Sequence, residues 1–330
     1  METTEFIAGI GEILWDKFPD KKRLGGAPAN FAYHAGQIAK FFQKPFTPIA
    51  ISAISDDADG QELLDVLDSK GLPCQLAKVS KDYPTGVVDV KQKEGKNDYT
   101  IVENVAWDHI PFTEEMSQIA RNARAVCFGT LAQRHEESRR NIHQFLASTP
   151  KECLRICDIN LRGHFYTPEV LQSSLKISTI LKTSDEELPL LPGLLNSTGS
   201  PTIPEVCTED GASMTATCQA ILKEFPNLRM LILTCGPKGS YVFSDGEMFS
   251  TEAPSLEKAN TVGAGDSFTG TFCASLLSGK SIPEALRYAT MVSAYVCTQE
   301  GAMPDMQPLL HHMREYSDEE TLQWISRISQ

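Results

Sequence analysis

A doubly wound α/β fold, with a mostly parallel sheet flanked by helices and a small β-sheet lid, is predicted by three observations. Short apolar runs of strand length alternate with segments of helical periodicity, which is the pattern of βαβ units. One region breaks that alternation: strand-like runs at 85–90 and 98–102 are joined by the polar stretch 91–97 with no helix between them, which reads as a β-hairpin. A glycine-rich turn, Thr261-Val262-Gly263-Ala264-Gly265-Asp266, then opens directly into a helical run at 267–277. In a doubly wound sheet, ligands bind beyond the carboxyl ends of the strands.

The elements follow in order. Residues 6–10 form a short buried strand. Residues 27–42 carry alanine, Phe31, Ile38 and Phe41 on one helical side. A strand at 49–54 precedes a helix at 61–70 that Gly71 stops. The runs 126–129, 156–159, 177–181 and 230–234 are further core strands, and 136–148 and 212–225 are helical. The segments near 12–24 and 84–106 make the lid, whose open edges call for cover by a ligand or by a second chain, hence a homodimer through the lid. Residues 188–211, rich in Pro, Gly, Ser and Thr, read as a loop or weakly ordered insertion. No boundary interrupts the pattern, so residues 1–330 are expected to be one domain.

Composition narrows the class. The apolar share of 41% and charged share of 22% are globular. A formal charge of −13 argues against a nucleic-acid partner. No window approaches the 18 to 20 apolar residues of a membrane span, and the acidic start of the chain is not a secretory signal. The nine cysteines show no metal-ligand spacing, so reduced thiols in a cytoplasmic protein are expected.

A helix N-terminus preceded by glycines offers free N–H groups and the positive end of a dipole, which suits phosphate. Asp266 is the odd residue there, because a carboxylate opposes an anion unless it has chemistry to perform. It reads either as an N-cap or as a base beside a transferring phosphoryl group.

Four more segments, with that turn, carry a resemblance. They are Gly11-Glu12-Ile13-Leu14-Trp15-Asp16, Gly25-Gly26-Ala27-Pro28-Ala29-Asn30-Phe31-Ala32, Asp158-Ile159-Asn160-Leu161-Arg162, and Leu233-Thr234-Cys235-Gly236-Pro237-Lys238-Gly239-Ser240. In order and spacing the chain resembles the ribokinase-like (PfkB family) carbohydrate kinases over nearly its whole length. With Glu103 to Asp108 included, it looks most like the fructokinases. The resemblance implies transfer of the γ-phosphate of ATP, with Mg2+, to a sugar hydroxyl. Asp266 would then be the base and the amides of Ala264, Gly265 and Asp266 the anion hole, closed by Gly263 and Gly265. Asp16, Gly25, Gly26 and Asn30 would hold the sugar, Trp107 would pack on it, and Arg162 would face the substrate or the phosphate. Asn160, Ser184, Thr234, Gly236, Lys238, Gly239 and Gly265 would line the nucleotide.

Two departures stand out. Asn260 replaces the family's usual Asp, which puts K+ activation in doubt; the matching cation positions are Asn260, Val262, Val296, Gln299, Gly301 and Asp305. In the family's Asn-x-x-Glu, Ser184 replaces Asn while Glu187 keeps the acid, so Mg2+ would be held by Glu187 through water. The alternatives are a kinase for ribose or 2-keto-3-deoxygluconate, or a sugar- or nucleotide-binding sensor without turnover, which Asn260 and Ser184 would favour.

Overall fold

A computed structural model describes residues 4–78, 82–93, 96–197, 203–205 and 211–330. The strands in chain order are β1 (Glu5–Ile10), β2 (Leu14–Lys17), β3 (Lys22–Gly25), β4 (Phe46–Ile54), β5 (Cys74–Lys78), β6 (Gly86–Lys93), β7 (Lys96–Ile101), β8 (Ala123–Phe128), β9 (Leu154–Asp158), β10 (Ile180–Ser184), β11 (Met230–Thr234), β12 (Ser240–Ser244) and β13 (Glu247–Thr251). The helices are α1 (Ala27–Phe41), α2 (Ala58–Ser69), α3 (Glu114–Arg121), α4 (Glu136–Ala147), α5 (Pro168–Ile177), α6 (Leu191–Asn196), α7 (Gly211–Glu224), α8 (Ala264–Leu277), α9 (Ile282–Cys297), α10 (Gln307–Glu315) and α11 (Asp318–Ile328).

The large sheet has nine strands in the order β13-β12-β11-β10-β9-β8-β1-β4-β5. From β11 to β5 every neighbouring pair is parallel; β12 and β13 add an antiparallel hairpin at one edge. Its strands are apolar on both faces because helices cover both. Ile7 of β1 points into the core under α1, α8 and α9, while Ala8 and Ile10 point into the core under α3 to α7. The chain builds outward from β1 to β5, then returns to β8 on the other side of β1. That reversal opens a crevice beyond the carboxyl ends of β1 and β8.

A second sheet of four strands, β3-β2-β6-β7, stands apart from the first. Only β2 and β6 run parallel in it. Its own core is small, Leu14, Val88 and Val90 with Phe18 and Ile101 packed against them. It joins the main body through apolar contacts, Trp15 of β2 being buried in the core with Leu24 against it, and through polar ones: Trp15 Nε1 donates to the Asp59 carbonyl of α2 at 2.9 Å, and Lys17 and Lys22 pair with the Asp59 carboxylate at 2.6 and 3.0 Å. The expected hairpin at 85–102 is β6 and β7, and the tip of its turn, 94–95, lies outside the described residues.

The expected loop at 188–211 is partly helical. A 3-10 turn (Leu188–Leu190) and α6 follow β10, and Leu188, Leu191, Leu195 and Ile203 are buried beneath them. Five leucines in eight residues, 188–195, were the apolar signal that Pro and Ser content masked; the rest of that stretch, 198–202 and 206–210, lies outside the described residues. The strand expected at 177–181 begins at Ile180 because Ile177 ends α5. Eight cysteines are described, none in a disulfide, and burial raises the thiol pKa of each, to about 12 for Cys74 and Cys218. No helix among the described residues is long and apolar enough to cross a membrane.

Candidate active site

The Gly263 turn ends above the crevice. Gly263 is the N-cap of α8 with φ of 78°, a left-handed conformation that an L side chain adopts only with strain, and a Cβ there would meet Ala302 at 2.5 Å. The Ala264 N–H turns back to the Thr261 carbonyl at 3.2 Å, and Ser267 makes the first helical bond, to Gly263, at 2.9 Å. Of the three amides expected to form an anion hole, Gly265 and Asp266 therefore keep their N–H groups without a backbone partner among the described residues, and Ala264 does not.

Asp266 sits in the third helical position, so it is not the N-cap of α8. Its carboxylate accepts from Asn30 Nδ2 at 2.8 Å instead. Asn30 is the fourth residue of α1 and nearly fully buried. The two helices come this close because Gly270 of α8 has no side chain; a Cβ there would meet the Phe31 carbonyl at 2.5 Å. Burial raises the Asp266 pKa, opposed by the Asn30 hydrogen bond and by the positive charges of Lys182 and Arg162.

A buried ion pair lies beside it. Lys182 Nζ of β10 is 3.1 Å from Asp158 Oδ1 of β9, both side chains under a tenth exposed. Thr269 Oγ1 of α8 approaches Asp158 Oδ2 at 3.5 Å. Lys182 also reaches the turn, since a Cβ on Gly265 would stand 3.0 Å from its Nζ. Burial pushes the Asp158 carboxyl up to about 6 against the pull of Lys182. Lys182 stays charged, because the carboxylates of Asp158, Glu187 and Asp266 outweigh its burial.

The opposite wall comes from β1, the small sheet and Arg162. Glu12, just past β1, is 4% exposed, its Oε2 has no hydrogen-bond partner among the described residues, and burial pushes it up to about 7. Asp16 of β2 is pushed up to about 6 by burial, opposed by Arg162 and Arg23. Gly25, diagonal to it across the β2–β3 pair and opposite Leu14, leaves the Asp16 carboxylate its space: a Cβ there would stand 3.0 Å from Oδ2. Gly26 caps α1 at φ 123°. Arg162 is exposed in the loop after β9, and its charge acts on Glu12, Asp16 and Asp266 together. The sequence-predicted residues Asp16, Gly25, Gly26, Asn30, Arg162 and Asp266 thus gather around one cleft.

Trp107 lies on the lid side of these residues, its ring against Gly86 of β6. It is fully buried in the core beneath α3 and α4, and its ring carries the Arg134 guanidinium at 3.9 Å. The short 3-10 turn Ala106–His109 holds it there, stapled by Arg134 bonding Asp108 at 2.7 and 2.8 Å. Its position after the lid strands suggested a sugar contact; the run Val105-Ala106-Trp107 was the apolar signal for core.

The residues expected to line a nucleotide lie beyond the ends of β9, β10 and β11. Asn160 turns the loop after β9 with φ of 40°. Thr234 Oγ1 donates weakly to the Thr183 carbonyl at 3.4 Å, and the Thr234 carbonyl accepts from Asp185 N–H at 2.9 Å. Gly236, Pro237 and Lys238 form an exposed 3-10 turn, closed by Gly239. Ser184 and Glu187 are engaged with each other: Glu187 Oε2 accepts from Ser184 N–H at 2.9 Å and its Oε1 from Leu161 N–H at 2.8 Å. With both oxygens on backbone N–H groups, Glu187 ties the Arg162 loop to β10; this arrangement suits an anchor for a metal's water shell and not a direct ligand.

At the expected monovalent-cation positions, Asn260 Oδ1 accepts from Val262 N–H at 3.2 Å. Gln299 N–H bonds the Val296 carbonyl at 3.0 Å, Gly301 turns at φ 76°, and Asp305 Oδ1 accepts from Gln307 N–H at 3.0 Å. Asn260 and Asp305 therefore spend side-chain oxygens on local turns.

Sequence reasoning assigned no role to Glu12, Asp158 or Lys182. Lys182 had a signal: one cation inside the apolar run Ile180-Leu181-Lys182-Thr183, where a lone charge requires a partner.

Comparison with known proteins bears on the fold and the family. The family model for pfkB family carbohydrate kinases matches residues 16–308. The chain is 25% identical over 321 residues to the fructokinase of Solanum tuberosum, covering 90% of this chain and 91% of that one. Among solved structures it is similar to a sugar kinase from Pyrococcus horikoshii in complex with ATP, with TM-score 0.73, 22% identity and 96% and 99% coverage. A fructokinase double mutant from Vibrio cholerae O395, in a form with fructose, ADP and potassium ion bound, has TM-score 0.72, 20% identity and 94% and 97% coverage. The α/β fold is thus shared with ribokinase-like kinases, and the chain belongs to the pfkB family of carbohydrate kinases, phosphotransferases with a hydroxyl acceptor.

Proposed function

We propose that this chain is an ATP-dependent fructokinase. The observation that carries the chemistry is Asp266: a buried carboxylate with a raised pKa, beside two free amides at the start of α8 and oriented by Asn30. Burial makes it a stronger base than a solvated aspartate. In the proposed step, Asp266 takes the proton of a sugar hydroxyl as that oxygen bonds the γ-phosphorus of ATP. The bond from phosphorus to the β–γ bridging oxygen breaks, and ADP leaves. The Gly265 and Asp266 N–H groups, the helix dipole and Arg162 meet the charge on the phosphoryl oxygens. A magnesium ion, held through water near Glu187, would supply charge neutralisation on the phosphates.

Asp16 and Asn30 would bind the sugar: a carboxylate can accept from two adjacent hydroxyls, and Asn30 Oδ1 is buried without a partner among the described residues. The four-stranded sheet would act as the lid that excludes water, and pairing of two chains through its edges would cover it. Fructose as acceptor rests on the sequence segments and on the fructokinases among the relatives.

The test is MgATP consumption, followed as ADP, against fructose, ribose, glucose, adenosine and 2-keto-3-deoxygluconate, each with and without potassium. Turnover with fructose above the others is expected. Preference for another sugar would replace the substrate; binding without turnover on any of them would make the chain a sensor. The potassium columns report what Asn260 in place of Asp costs.

A further inference from the structure

Outside the cleft, two histidines and a glutamate converge at the entrance of α4. His109 ends the 3-10 turn Ala106–His109, His135 is the N-cap residue of α4, and Glu137 lies in its first turn. One donor atom from each lies within 4.8 Å of the other two. His109 Nδ1 is 2.8 Å from Glu137 Oε2, and the rings of His109 and His135 are 4.5 Å apart. The Tyr83 ring stacks on His109 at 3.6 Å.

Two ring nitrogens, His109 Nε2 and His135 Nδ1, are buried with no hydrogen-bond partner among the described residues. An unmet buried nitrogen costs on the order of 1–3 kcal/mol; with His109 Nδ1 already turned to Glu137, the free nitrogen that an ion between the three side chains would meet is His135 Nδ1. The surrounding frame is cross-linked. Ser138 Oγ accepts from the Ile110 N–H and donates to the Trp107 carbonyl, both at 2.8 Å, and the Arg134–Asp108 pair joins the same two elements. The donors are therefore held on braced backbone, as a binding constellation requires. Ligands of a tetrahedral zinc, bonded at about 2.0–2.1 Å, stand roughly 3.3 Å apart, within reach of small side-chain rotations here.

We propose that His109, His135 and Glu137 bind a divalent transition-metal ion of the zinc class, with water completing the shell. Two imidazoles and a carboxylate suit zinc and its neighbours and not magnesium or calcium, which prefer oxygen. The ion would clamp the segment leaving the small sheet, Val102 to His109, onto α4. The site is separate from the phosphoryl-transfer cleft and does not depend on its substrate.

The test uses the full chain, stripped with a chelator and titrated with Zn2+ against a competing indicator. One Zn2+ per chain is expected, with Kd on the order of 1 μM or tighter, together with a zinc-dependent rise in Tm. His135→Ala should weaken binding at least about tenfold and abolish the Tm rise. Its side chain makes no capping bond to α4, so the helix keeps its start. Glu137→Gln, at a side chain 42% exposed, gives the same reading should the first variant misfold. Co2+ in place of zinc should give visible d–d bands without a thiolate charge-transfer band. Absence of a saturable site, unchanged affinity in folded variants, or a thiolate band would overturn the assignment.

Discussion

The two halves of the cleft are built on different principles. The half assigned to the acceptor is made of buried and half-buried charge: Glu12, Asp16, Asp158, Lys182 and Asp266 come from four separate segments, and only packing brings them together. The half assigned to the nucleotide is made of turns. Gly236 to Gly239 and the Ser184–Glu187 bonds are contacts between residues three or four apart, mostly exposed to solvent. Buried charge is costly to hold and strong in effect, whereas exposed turns are cheap and tolerant. The acceptor half should therefore respond sharply to substitution and to pH, and the nucleotide half weakly.

The largest expected effect is at Asp266. Asp266→Asn keeps the size and the Asn30 contact but removes the base, and kcat should fall by roughly 10²–10⁴-fold. Near-normal turnover in a steady-state assay would remove Asp266 from that role. Next is the ion pair. Lys182→Met leaves Asp158 buried without its partner and should cost about 3–5 kcal/mol in urea unfolding. Adding Asp158→Asn should restore much of that; a double variant no better than the single one would show that the pair is not the cause. Asp16→Ala should weaken sugar binding by about 1.5–3 kcal/mol, the worth of hydrogen bonds to a charged group, with little change for ATP. Equal losses for both in calorimetry would make Asp16 structural.

Stability against pH sharpens the contrast. Glu12 is raised from 4.5 to about 7 in the folded chain, and Asp16 from 3.8 to about 6. Between those values the folded state binds more protons than the unfolded one, so stability falls as pH rises through about 4.5 to 7. Glu12→Gln should flatten that slope in a Tm series; an unchanged slope would place the titration elsewhere. The smallest effect is expected at Lys238, on the exposed turn. Lys238→Ala should change the KM for ATP by a few-fold at most, within about 1 kcal/mol. A loss there as large as at Asp16 would break the comparison.

These halves also differ in how far they could be read before folding. The nucleotide turns and the Gly263-Ala264-Gly265-Asp266 turn are contiguous, so their residues stand side by side in the chain. Asp16, Asn30 and Arg162 were found through the order of segments. Glu12 and Asp158 lay inside quoted segments without a role, because nothing local shows that a carboxylate will be buried. Trp107 shows the converse: it packs against Gly86 of the lid strand β6, and only the structure shows that the Arg134–Asp108 pair also fixes it in the core. The helix α6 was hidden by Pro192, which sits at its first turn, where proline is tolerated.

The sequence by itself determined the α/β alternation, the interrupting hairpin and the glycine turn that aims a helix at a phosphate. Each follows from residues a few positions apart, where backbone sterics and hydrophobic period decide. Tertiary structure alone decided that Asp266 is oriented by a residue 236 positions away. It also decided that Lys182 lies under the glycine turn, and that His109, His135 and Glu137 meet. These depend on which helix packs on which strand, and burial, which sets the charge state of every group in the cleft, exists only once that packing is complete.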